Sequence, residues 1–76
     1  MNDFDPNTFS RRLKALREER GMDQDALALA SGVSKGAIAR YEMGRNAPRV
    51  DAIVSLANAL GCSCDVLIGV VPLVTA

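Results

Sequence analysis

Apolar residues recur along this chain at helical spacing. Phe9, Leu13 and Leu16 fall at i, i+4 and i+7, which puts all three on one face of a helix. Asp5 or Asn7 can cap its start, with Pro6 or Thr8 in the first turn, and Gly21 stands just past its end. Asp23 then opens a second, short helix whose inward positions are Leu27, Ala28 and Ala30. The run Ser31-Gly32-Val33-Ser34 interrupts it, and Ser34 caps a third helix with Ile38 and Tyr41 inward and Gly44 at its end. Residues 45–49, with Pro48, read as a loop. Ile53, Leu56, Ala57 and Leu60 mark a fourth helix stopped by Gly61, and Ser63 caps a fifth, very short turn that brings Val66, Leu67 and Ile68 inward. Strand-type alternation is absent before the tail. The pattern predicts an all-α domain of five helices.

Each segment is near or below the ~12–15 residues that an isolated helix needs to be even marginal in water, so the five must hold one another up through a shared core. Ala28, Ala30 and Gly32 are small enough to let two helix axes approach closely. The chain divides into a lead over residues 1–7, a domain over 8–68 and an apolar tail over 69–76, with no internal repeat.

The stretch from Gln24 to Glu42 carries the functional signal. Two short helices flank a turn centred on Gly32, as a helix-turn-helix requires. Gly32 supplies a positive φ at the corner, and Val33 plugs the angle between the helices. Ile38 and Tyr41 anchor the inner side of the second helix. Lys35, Gly36, Ala39, Arg40 and Met43 are left pointing outward. A face of small residues with Lys and Arg suits the DNA major groove.

These residues resemble the Cro and phage-repressor type of helix-turn-helix proteins, the XRE-like family. The resemblance rests on Arg17-Glu18-Glu19-Arg20-Gly21, Asp23-Gln24-Asp25-Ala26-Leu27-Ala28, Gly32-Val33-Ser34, the run Ile38-Ala39-Arg40-Tyr41-Glu42-Met43-Gly44-Arg45, Pro48 and Leu60-Gly61, and it spans residues 8–68. It implies a compact five-helix lambda-repressor-like domain, with helices 2 and 3 as the helix-turn-helix. The implied role is that of a transcriptional regulator, a repressor in the first instance, binding a palindromic operator in double-stranded DNA as a homodimer. Carried over residue by residue, it places Lys35, Gly36, Ala39 and Arg40 at base edges. Gln24, Arg45, Asn46 and Arg49 fall at phosphates, and Gln24 also braces the recognition helix. Arg17 and Glu42 match a structural ion pair tying the first helix to the end of the third. The dimer contact is implied near the last two helices, which makes Cys64, Val66, Leu67, Val70, Val71 and Leu73 its candidates. Leu67 is alternatively wholly core, and the tail is either an arm that pairs with a partner chain or a segment folded back on its own domain. Two positions depart from the family pattern. Tyr41 stands where tryptophan or another large residue is common, and Gly36 offers no side chain to a base while costing about 1 kcal/mol of helix stability against alanine.

Charge and composition sharpen this picture. Nine Lys and Arg balance nine Asp and Glu, so net charge alone gives no reason to bind nucleic acid. The distribution does. Residues 11–20 hold five basic and two acidic side chains and residues 35–49 hold four and one, whereas the other segments carry only acids. Positive charge is therefore expected where phosphate would lie. Arg11, Arg12 and Lys14 read as an ordinary solvated helix face.

The chain lacks histidine, and its two cysteines, Cys62 and Cys64, are one residue apart. That spacing is too close for an unstrained bridge and too few ligands for a zinc site. Cys62 reads as a small core residue and Cys64 as a half-exposed thiol. The serines have caps to serve and no base to activate them, which disfavours an enzyme, and no cofactor or small-molecule ligand is implied. The acidic N-terminus has no apolar h-region and no apolar run is long enough to cross a bilayer, so a cytoplasmic location without membrane contact is expected. The competing reading is a protein–protein module on the same fold, antitoxin-like or anti-repressor-like. An apolar outer face on the third helix would mark it.

Overall fold

The computed structural model describes residues 5–70, and these form five helices: α1 (Pro6–Glu19), α2 (Gln24–Ser31), α3 (Lys35–Glu42), α4 (Val50–Leu60) and α5 (Cys64–Ile68). The start of each follows from local chemistry. The Asp5 carboxylate accepts from the backbone N–H of Asn7 at 2.9 Å and from the Thr8 hydroxyl at 3.0 Å, with Pro6 at the first helical position. Asp5 is thus the cap, and α1 begins within the stretch read as a lead. Asp23 caps α2 through the Ala26 N–H at 2.7 Å, Ser34 caps α3 through Ala37, and Ser63 caps α5 through Val66, both at 3.1 Å. Each cap satisfies a backbone donor that the first turn leaves without a partner. Only α4 starts without a side-chain cap, at Arg49.

Helix α1 lies against α3 and α5, α2 against α3 and α4, and α4 against α5. One core fills the space between them, built from Phe9, Leu13, Leu16, Leu27, Ile38, Tyr41, Leu56, Ala57, Leu60 and Leu67. Burying each large member stabilises the fold by roughly 1.5–3 kcal/mol. The Phe9 and Tyr41 rings meet edge to face, centroids 5.8 Å apart, and so lock α1 to α3.

Three placements differ from expectation. Ala30 is exposed: the buried side of α2 runs through Leu27 and half-buried Ala28 and Ser31, and Ala30 falls on the flank beyond Leu27. Gly32 has open space around its Cα, so its smallness serves the turn and not helix packing. Leu67, named as a dimer candidate, is fully buried in the core of its own chain and has no surface to offer a partner. Val71 and Leu73 lie outside the described residues.

The basic residues of α1 reach neighbouring helices, and Arg12 departs from the solvated face on which it was expected. Arg12 Nη1 donates to the carbonyl of Val66 at 2.9 Å, and Arg20 Nε donates to that of Leu60 at 2.6 Å. These carbonyls stand near the C-terminal ends of α5 and α4, where cations meet the negative end of the helix dipole. Arg12, Arg17 and Arg20 together tie α3, α4 and α5 to α1. Arg11 and Lys14 remain exposed. Cys62 and Cys64 are free thiols, both half-buried against the core, and burial pushes the Cys62 thiol up.

Candidate nucleic-acid interface

The corner between α2 and α3 is set by Gly32, whose φ of +77° closes α2 with its N–H on the Ala28 carbonyl at 2.9 Å. A side chain there would be strained whatever the space around it. Ser31 Oγ accepts from the Val33 N–H at 3.1 Å, and Val33 packs half-buried against the core. With Ser34 as cap, α3 then leaves the corner in a fixed direction.

The inner face of α3 is Ile38, fully buried, and Tyr41. Lys35, Gly36 and Arg40 are exposed, Met43 is exposed beyond them, and Ala39 sits half-buried at the margin of this outer face. Gly36 has ordinary helical geometry. A Cβ built on it would meet only Arg40 Nη1, at the ordinary contact distance of 3.6 Å. Nothing inside the fold requires glycine at 36. The Arg40 guanidinium lies beside this bare stretch of helix.

The far end of α3 is clamped. Arg17 grips Glu42 through two hydrogen bonds, Nε to Oε2 at 2.7 Å and Nη2 to Oε1 at 3.0 Å, with both side chains nine-tenths buried or more. Its third donor, Nη1, reaches the Met22 carbonyl at 2.7 Å. Gln24 Nε2 joins the same Glu42 oxygen Oε1 at 3.1 Å, and the Ser10 hydroxyl donates to the Glu42 carbonyl. The hydrogen bond to Glu42 holds the Arg17 guanidinium above its ordinary pKa, with burial opposing it. One carboxylate therefore joins α1, the start of α2 and the end of α3.

The loop after α3 places Arg45, Asn46 and Arg49 in solvent. Two of the cations on this side have carboxylate partners that sequence reasoning did not pair. Lys35 Nζ lies 3.3 Å from both oxygens of Asp25, and Arg49 Nε lies 3.8 Å from Asp51. The second pair is two residues apart and readable in principle. The first spans ten residues and depends on the turn that folds α3 back on α2. Among the described residues no group of His, Cys, Asp and Glu is arranged to hold a metal ion, and no helix is long and apolar enough to cross a membrane.

The helix-turn-helix family model (HTH_3) matches residues 13–67, which includes the corner, the Arg17–Glu42 pair and all of the core but Phe9. The chain belongs to this family. It is 46% identical over 54 residues, 70% of its own length, to the HTH-type transcriptional repressor RghR of Bacillus subtilis, of which it covers 40%. It superposes on the restriction-modification controller protein C.AhdI from Aeromonas hydrophila with a TM-score of 0.79 at 32% identity, covering 83% of this chain and 96% of that one. The P22 c2 repressor, solved in complex with a synthetic operator, superposes with a TM-score of 0.76 at 33% identity, covering 80% and 92%. The chain spans about half the length of the curated relatives it matches. Fold and family are those of the phage-repressor helix-turn-helix regulators.

Proposed function

We propose that this helix-turn-helix domain is a sequence-specific, double-stranded-DNA-binding transcriptional repressor of the cytoplasm, acting as a homodimer on a palindromic operator. The observation that carries the reading is the outer face of α3, where Lys35, Gly36 and Arg40 stand exposed on a helix capped at one end and clamped at the other. A helix held this firmly can enter the major groove without losing much freedom on binding. Arg40 and Lys35 donate to base edges, Ala39 contacts a base at the margin, and Gly36 lets the helix backbone come close. Gln24 and Asn46 donate hydrogen bonds to phosphates on either side, and Arg45 and Arg49 neutralise their charge. The P22 c2 repressor, similar over most of this chain, binds an operator, which supports the same use of α3 here.

The homodimer contact is assigned to the surface of α5 and the segment after it, with Cys64, Val66 and Val70 contributing and Leu67 removed from the set. A two-fold pair of such domains would set its recognition helices about 34 Å apart, one turn of DNA. The protein–protein alternative is not favoured, because Met43 is the one large apolar side chain at this outer face, beside Lys35 and Arg40.

Selection from a pool of random duplexes at two salt concentrations tests the proposal. Enrichment of a palindrome with half-sites one helical turn apart is the expected result. Binding without enrichment that vanishes at moderate salt would leave only a generic basic surface.

A further inference from the structure

Asp25 has no evident task in the fold. It lies in the first turn of α2, where an acid is mildly favourable, but the cap bond to the Ala26 N–H is already made by Asp23. Its side chain is 71% exposed, that of Lys35 is 57% exposed, and exposed ion pairs add little to stability. Yet Asp25 brings a negative charge onto the side of the molecule that presents α3. Both its oxygens lie 3.3 Å from Lys35 Nζ, at the first residue of that helix. A carboxylate there acts against phosphate attraction on any DNA sequence.

We infer that Asp25 is a specificity-setting residue: it holds the Lys35 ammonium over the start of α3, where its remaining hydrogens face base-edge acceptors, and withholds it from the phosphates. The inference rests on the DNA reading proposed above. An ammonium carries three donors, and a carboxylate partner leaves hydrogens free to bond elsewhere. Lysine on its flexible stem otherwise turns to the nearest phosphate, a contact that carries no sequence information. Pairing with Asp25 therefore lowers affinity for all DNA and lowers it least where a matching base replaces the lost phosphate contact. This fits a chain with nine cations and nine anions, in which long-range attraction is weak by composition.

The test compares wild type, Asp25→Asn, Asp25→Glu and Glu18→Gln on the duplex selected by the wild type and on a scrambled duplex of the same length, over a salt series. Glu18, exposed near the end of α1, controls for the loss of one negative charge. Asp25→Asn is expected to bind the scrambled duplex roughly fivefold more tightly at low salt. Its slope of log affinity against log salt should steepen by about 0.9, one more phosphate neutralised. The gain on the selected duplex should be smaller, so discrimination narrows, and Asp25→Glu should restore it. Equal gains on both duplexes, matching Glu18→Gln, would reduce Asp25 to bulk charge and overturn the inference, as would no gain at all. A wild type that selects no duplex defeats the DNA reading itself, and this inference with it.

Discussion

Arg17 and Glu42, twenty-five residues apart, face each other as a two-pronged pair, with heavy-atom distances of 2.7 and 3.0 Å and almost no contact with solvent. The pair fixes the end of α3 to α1, and through Gln24 it also fixes the start of α2. The angle of the recognition helix therefore depends on one buried carboxylate.

Removing either partner leaves the other charged and buried. Arg17→Ala and Glu42→Ala are each expected to lose roughly 3–5 kcal/mol, read from urea unfolding. Replacing both by apolar residues of similar volume should cost less than either single change. Melting temperatures equal to wild type would show that the clamp is peripheral to the fold.

Asp5 gives a pH signature. Its carboxyl is held below the ordinary carboxylate range by the Asn7 N–H first and then the Thr8 hydroxyl. A depressed folded-state pKa contributes stability that is present above the unfolded value of about 3.9 and is lost as pH falls through the folded value. Asp5→Ala should therefore melt below wild type at neutral pH, with the gap closing as the pH falls through and below that range. A gap that persists unchanged in acid would contradict a role for the ionised cap.

Gly36 should separate stability from function. Its surroundings admit a methyl group, so Gly36→Ala is expected to stabilise the domain by about 1 kcal/mol. The same methyl would stand between the helix backbone and the groove and weaken binding to the selected duplex. Thermal melting and equilibrium binding on one preparation check both. A variant that gains stability and keeps full affinity would show that the DNA does not approach this backbone closely.

Arg40 and Arg49 should fail in different ways. Arg40→Ala is expected to lose ~1–3 kcal/mol on the selected duplex and to relax base preference, as the loss of one good base contact does. Arg49→Ala should weaken all sequences alike and flatten the salt dependence. An Arg49→Ala variant with altered preference and an unchanged salt slope would place Arg49 at a base edge.

The helices were legible in the sequence because caps and apolar spacing are local. Asp23, Ser34 and Ser63 stand just ahead of an apolar periodicity, and each is the cap found in the structure. The Arg17–Glu42 contact came from the family resemblance and not from spacing, which cannot pair residues so far apart. Long side chains were the least legible. Arg12 reads in the sequence as part of a solvated helix face and Arg17 as the partner of Glu42 alone, but the reach of several ångströms takes Arg12, Arg17 and Arg20 to the Val66, Met22 and Leu60 carbonyls on neighbouring parts of the fold. Leu67 was ambiguous for a related reason: in a five-residue helix, core and interface residues follow the same pattern, and only the packing of α1 and α4 around it decides. The Asp25–Lys35 pair was invisible because it forms only once the turn at Gly32 is closed.

The central claim is that α3 enters the major groove and reads bases there. Methylation protection of guanine N7 on the selected duplex tests it most directly, because N7 faces that groove. The account predicts protected guanines in both half-sites, about one helical turn apart, with protection lost in Arg40→Ala under conditions where that variant still occupies the DNA. Guanines that stay fully reactive under saturating protein, with protection confined to adenine N3 in the minor groove, would contradict it.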